Sequence, residues 1–221
     1  RLFLEASMSF LLPHLGEFTW GIAFTIGLVV LGWIGALVLG SMLAVMYASP
    51  VRTARMMAST YILVFRNIPI PVQMVLFVFG FPLLGVQLPL FPSAVIVLIA
   101  YHASFVCETL RSGLNTVAVG ELEASRSLGF APFGTMRYLV LPQAFAAVVQ
   151  PMGNVLILLV KNSSVAAIVG VAEMTFIADK IAIEEVQAFI VLGGAALAYV
   201  VICVALKRLV SSLERRVAFS K

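Results

Sequence analysis

Residues 18–48 read FTWGIAFTIGLVVLGWIGALVLGSMLAVMYA, without a single Asp, Glu, Lys or Arg. A helix crosses the roughly 30 Å hydrocarbon core of a bilayer with about 20 apolar residues, so this run can span with length to spare. A helix apolar on every side is a buried or membrane helix, not a surface one. Working outward, residues 67–107, 142–160 and 186–206 are also free of those four charged residue types. The stretch 67–107 is long enough for two spans, and Pro82, Pro89 and Pro92 place a turn in its middle. Spans are expected at about 19–47, 60–81, 90–109, 142–161 and 186–206.

Composition agrees. The chain is 62% hydrophobic and 11% charged, where soluble domains carry about 45–50% apolar and about 25% charged residues. So few charges cannot coat a water-facing surface. The fold class expected is all-α and integral to the membrane, one transmembrane domain over residues 1–221 with about five spans. No basic tract interleaved with aromatics marks a nucleic-acid partner. Cys107 and Cys203 lie in apolar runs and read as packing residues. His102 has no second ligand type at metal spacing, so it reads as a buried, hydrogen-bonded residue and no metal site is expected. The first apolar run is too long for the apolar region of a cleaved leader.

The bases divide the chain into two sides. Arg52 and Arg55 follow the first span, Arg111, Arg126 and Arg137 follow the third, and Lys207, Arg208, Arg215, Arg216 and Lys221 follow the fifth. These places alternate along the chain, and Lys/Arg-rich connections face the cytoplasm. The opposite side receives Glu5, Glu17, Glu173, Asp179, Glu184 and Glu185. The amino terminus is therefore expected outside and the carboxyl terminus in the cytoplasm.

The longest polar connection, about 110–141, has internal order. Glu121-Leu122-Glu123-Ala124-Ser125-Arg126-Ser127-Leu128 is a short helical run, and Gly129 ends it as glycine does past a helix terminus. Ala131-Pro132 opens a second short helix, with Pro where its missing N–H costs nothing. Two short helices broken at Gly make a rigid cytoplasmic knob, a shape suited to a groove in another protein.

This loop resembles the cytoplasmic signature of ABC importer permeases: Glu-Ala-Ala, three residues, Gly, nine residues, Ile, one residue, Leu-Pro. Here it reads Glu123-Ala124-Ser125, Gly129, Leu139, Leu141-Pro142, with Ser125 for the second Ala and Leu139 for Ile. The stretches Arg66-Asn67-Ile68-Pro69 with Gln73, Glu108-Thr109-Leu110-Arg111-Ser112-Gly113, Pro151-Met152-Gly153-Asn154 and Lys161-Asn162-Ser163-Ser164 are similar to segments of the polar amino acid permeases. They are most like the glutamate/aspartate branch. The resemblance implies a bacterial inner-membrane permease and a cytoplasmic coupling helix, with Glu121, Glu123, Ala124, Ser125, Arg126 and Gly129 docking on an ATPase. It implies as partners two ATP-binding subunits, a second permease subunit, identical or homologous, and an extracytoplasmic substrate-binding protein. ATP and Mg would be bound by the ATPase subunits. The chain itself has no Gly-x4-Gly-Lys-Ser/Thr loop and is expected to be no enzyme and to bind no cofactor.

A substrate path is expected from bases and amides inside the spans. Intramembrane bases are costly and usually face the protein interior. Arg66 and Lys161 are candidates for an anion path. A snorkelling or ion-paired base is the structural alternative. Asn67, Gln73, Asn154, Asn162, Ser163 and Ser164 could bond a substrate or only neighbouring helices. Pro69 with Pro71, and Pro151 with Gly153, make spans two and four candidates for broken helices lining a cavity. Glu108 and Arg111, three residues apart, read as a local helix pair. Two other functions stay open: an ion-coupled carrier using Glu108 and His102, and a non-transporting scaffold. Glutamine and basic amino acids remain alternative substrates.

Overall fold

The computed structural model describes the backbone of residues 2–218 and the side chains of residues 13–216. Glu5 and Lys221, used above for sidedness, have side chains outside the described residues. The chain runs α1 (Leu2–Ala48), α2 (Arg52–Asn67), α3 (Ile70–Val75), α4 (Leu90–Leu114), α5 (Val119–Ser127), α6 (Pro132–Thr135), α7 (Leu141–Ser163), α8 (Met174–Glu184) and α9 (Ala188–Ala218). The described residues are helices joined by short turns, an all-α membrane fold.

Among the described residues, four helices are long and apolar enough to cross a bilayer: Pro13–Ala48, Leu90–Leu114, Pro132–Val169 and Ala188–Arg216. The stretch expected as a second span, 60–81, differs. It is a pair, Arg52–Asn67 and Ile70–Leu84, bent by 102°. The bend has a local cause. Pro69 disfavours helical backbone at Ile68, whose ψ of 125° is extended. Gln73 then reaches back from α3, donating from Nε2 to the carbonyls of Phe65 and Ile68.

The expected interruption of span four at Pro151-Met152-Gly153 does not occur. Helix α7 runs through Pro151 without a break. Gly153 serves packing instead, since a Cβ there would lie 2.3 Å from Val210 of α9. Nor does the chain break after α6, which runs through a π-helical turn at Met136–Val140 into α7. Residues 132–169 make one 38-residue helical stretch, which rises roughly 57 Å against a core of roughly 30 Å. Its first turns therefore stand clear of the bilayer beside α5, and the connection after α4 shrinks to 115–131.

Helices α1 and α4 form the central seam because α1 presents glycine to it. A Cβ at Gly40 would lie 2.6 Å from Val106 and 2.8 Å from the Ala103 carbonyl, and one at Gly35 would lie 2.3 Å from Ile99. Without side chains there, the helices approach closely, and membrane helices associate through such packing.

The carboxyl group of Glu173 anchors α8. It is fully buried and caps α8 by accepting from the Phe176 N–H at 2.9 Å. It also accepts from the Tyr199 hydroxyl of α9 at 2.7 Å. Thr25 of α1 completes the tie, accepting from the Met174 N–H at 3.1 Å. Glu173 lies between the membrane-spanning stretches, and burial raises its pKa above the ordinary carboxylate value despite these donors. Between the ordinary and the raised pKa the folded protein therefore keeps a proton there that the unfolded chain has released. Stability is fully present below the ordinary carboxylate pKa and is lost as pH rises through the raised one. Thermal melts across that window should show this fall in the parent and a flatter profile in Glu173→Gln. A parent profile rising with pH would refute the assignment.

Candidate functional site: a charged cavity and a helical knob

Where α2 meets the last turns of α4, a cavity of about 500 Å³ opens, lined in part by Tyr47, Arg66, Asn67, Phe105, Glu108 and Arg111. The bend after Asn67 ends α2 here and leaves Arg66 in its last turn. Arg66 forms an ion pair with Glu108 of α4 and lies over the Phe105 ring, 5.1 Å from its centroid. Arg111 lies over the Tyr47 ring at 4.2 Å. Glu108 thus pairs across helices with Arg66, not locally with Arg111 as the spacing of three suggested. The reason is that the ring of Tyr47, from α1, engages Arg111, while the bend brings Arg66 to α4. The ion-pair alternative for Arg66 is the one observed. About a third of the Arg66 side chain and two fifths of the Glu108 side chain remain accessible, so both charges still face the cavity. Two guanidiniums and one carboxylate leave a net charge of +1. A guanidinium matches a carboxylate in a two-point fork, and a carboxylate accepts from an ammonium.

The other path candidates are dispersed. Asn67 lines the cavity but donates to the Leu63 carbonyl at 2.6 Å. The Gln73 amide nitrogen is taken by the bend, while its buried Oε1 has no hydrogen-bond partner among the described residues. Lys161, exposed in the last turn of α7, is separated from Pro132 by roughly 44 Å of helix and does not line the cavity with Arg66. Asn154 is exposed on α7. Asn162 donates to His102 Nε2 at 3.2 Å. His102, fully buried, contacts the Leu98 carbonyl through Nδ1 at 2.9 Å. A carbonyl only accepts, so Nδ1 carries the proton and Nε2 is free to take the amide N–H. Ser163 and Ser164 donate to the carbonyls of Val160 and Lys161 within their own helix turns. The roles of Tyr47 and Phe105 escaped the sequence reading. A ring far from a base along the chain gives no local signal of a cation–π contact.

The helical knob is built by α5 and the start of the long helix. Gly129 has φ of +82°, the left-handed backbone that glycine adopts at no steric cost. There the Phe130 N–H donates to the Ser125 carbonyl and the Gly129 N–H to that of Arg126, which closes α5 as a Schellman-type cap. Glu123, Ala124 and Arg126 are exposed, and Glu121 accepts from the Gln143 amide at 2.6 Å. Ser125 is buried and lies 2.6 Å from the Thr135 hydroxyl, tying α5 to the long helix. Its departure from the signature's alanine therefore has a structural reason. Ser125→Ala would leave the Thr135 hydroxyl buried without that partner, a loss of about 1–3 kcal/mol. We expect a lower thermal midpoint for Ser125→Ala, with partial recovery in Ser125→Ala/Thr135→Val, where both hydroxyls are gone. The groove between α5 and this helix, about 290 Å³, is lined among others by Leu128, Phe130 and Tyr138.

A long-helix membrane bundle with a charged, outwardly open cavity and a projecting helical knob has the form of a membrane permease. The family of binding-protein-dependent transport system inner membrane components matches residues 36–219. The glutamate transport system permease protein GluC of Corynebacterium glutamicum is 35% identical over 211 residues, 89% of this chain and 92% of that one. The probable glutamine ABC transporter permease protein GlnM of Bacillus subtilis is 32% identical over 210 residues, 95% of this chain and 97% of that one. The crystal structure of an amino acid ABC transporter with histidines has the same fold, with a TM-score of 0.88 at 30% identity over 93% of this chain and 96% of that one. The chain belongs to the binding-protein-dependent transport system inner membrane components, and its fold is that of an ABC importer permease.

Proposed function

We propose that this chain forms the translocation path of an ATP-driven importer for polar amino acids, with glutamate or aspartate as substrate. The observation that carries the reading is the cavity of net charge +1. Arg66 and Arg111 supply carboxylate-binding groups and Glu108 an ammonium acceptor, a set complementary to a zwitterion with one extra negative charge. Likeness to the glutamate permease supports it. Likeness to a probable glutamine permease favours a second reading, in which the Arg66–Glu108 pair serves the zwitterion alone and a neutral side chain fills the remaining space.

In this proposal the chain is one transmembrane domain in a bacterial inner membrane, amino terminus outside and carboxyl terminus in the cytoplasm. It pairs with an identical or homologous permease and receives substrate from an extracytoplasmic binding protein. It hydrolyses nothing itself. Two partner subunits bind ATP and Mg, and their closure moves Glu121 to Gly129 of the knob, shifting the long helix that continues into the bundle. The test is ATP hydrolysis in liposomes holding this chain with its co-purifying ATPase and binding protein. Stimulation by glutamate or aspartate, with none by glutamine or arginine, is the expected result. Stimulation by glutamine selects the second reading, and uptake driven by an ion gradient without any ATPase overturns both.

A further inference from the structure

The bend after Asn67 strands two carbonyls. In a continuous helix the Phe65 carbonyl would accept from the N–H of residue 69, but Pro69 has none. That of Ile68 would accept from Val72, whose N–H donates to the Pro69 carbonyl at 3.0 Å instead. Gln73 meets both, its Nε2 lying 2.8 Å from the Phe65 oxygen and 2.9 Å from that of Ile68. The opposite amide orientation would set Oε1 against two acceptors, so these carbonyls fix it. Gln73 is 8% exposed, and its buried Oε1 has no partner among the described residues. A buried acceptor left unpaired costs stability. This position therefore uses the amide for its N–H groups alone.

The two carbonyls flank Arg66. On the far side of the bend α3 is anchored, with Ile70 and Met74 buried in one core cluster with Val97 and Leu98 of α4. On the near side no residue from 63 to 67 is buried, so apolar packing does not hold the last turn of α2. Tyr61, a turn earlier, donates to the Ala100 carbonyl of α4 at 2.8 Å and holds α2 upstream. Beyond it, the Gln73 amide joins the turn that carries Arg66 to the anchored helix.

We infer that Gln73 is a positioning residue for substrate binding, its amide setting the angle at which α2 ends and with it the direction from which the Arg66 guanidinium meets the cavity. The inference rests on the substrate cavity proposed above. Gln73 is not among the residues lining that cavity, so it acts through Arg66 and not by touching substrate.

The test is a double-variant cycle in liposomes holding the whole transporter with its ATPase and binding protein. It is read with whichever of glutamate, aspartate, glutamine or arginine stimulates ATP hydrolysis most. Gln73→Met keeps the length of the side chain and removes both N–H groups. It should raise the half-saturating substrate concentration about fivefold, while the maximal rate stays near the parent's. In the Arg66→Gln background it should add nothing, because a residue that acts only through another has no effect once that other is gone. Gln73→Asn, one methylene shorter, reaches at most one of the two carbonyls and should lie between the parent and Gln73→Met. It carries the same cycle if Gln73→Met does not assemble. A further fivefold rise on top of Arg66→Gln, or a lower maximal rate with half-saturation unchanged, would overturn the inference and leave the cavity reading standing. Unchanged half-saturation in Arg66→Gln would instead remove the cavity from the path, and the role of Gln73 with it.

Discussion

Replacing Glu108 with Gln is expected to raise the substrate concentration for half-maximal uptake by roughly tenfold or more. The substitution keeps size and shape but strips Arg66 of its counter-charge and removes the one carboxylate that faces the cavity. A hydrogen bond to a charged group contributes about 1.5–3 kcal/mol. Because both side chains are partly open to the cavity, the lower end applies, which corresponds to about tenfold. Arg66→Gln should act as strongly, since it deletes a carboxylate-binding fork and leaves Glu108 repelling an acidic substrate. The exchange Arg66→Glu/Glu108→Arg restores a pair but not its direction. It should recover thermal stability without recovering uptake. Uptake that is normal in Glu108→Gln, in a complex that melts as the parent does, would remove this cavity from the path.

Glu123→Lys should abolish the response of the ATPase to substrate while leaving its basal rate in place. Helix α5 is held rigidly from behind, by the Ser125–Thr135 hydroxyl contact and the Glu121–Gln143 bond. Glu123 has no such duty: it is exposed, and its carboxylate makes no ion pair or hydrogen bond among the described residues. A charge reversal there leaves the fold of the knob intact and, on the coupling role proposed above, puts a base where a docking partner would meet an acid. Like charges opposed across an interface cost several kcal/mol, enough to reduce stimulated turnover to less than about a tenth of the parent's. Glu123→Gln, which removes the charge without reversing it, should lie between. Stimulation preserved in Glu123→Lys would mean that α5 is not where motion is transmitted.

Much of this molecule is readable along the chain because the bilayer imposes a one-dimensional rule. Uncharged runs such as 18–48 must be helices, since no water satisfies the backbone there. The knob is also local. The offsets from Glu123 to Gly129 to Leu141-Pro142 sit within a few helical turns, and the left-handed turn at Gly129 is a demand of one residue's backbone. From such signals came the all-α membrane class and the family resemblance.

What depends on the meeting of distant segments was not legible. Three residues of separation made Arg111 the natural partner of Glu108, yet the 102° bend after Asn67 brings Arg66 to it and the Tyr47 ring takes Arg111. Pro151 looked like a break, but the bundle accommodates it in a continuous helix while Gly153 beside it admits Val210. Lys161 and Arg66, paired in thought by their charge, end on different parts of the fold because one terminates α7 and the other α2. The sequence by itself determined that the chain is a membrane permease with a projecting helical knob, because hydrophobic length and short-range offsets are properties of the covalent chain. Which charges face one another across the cavity was decided only by the tertiary structure, because close helix approach and a single bend place them there, and neither distance nor direction between remote residues is written in their order.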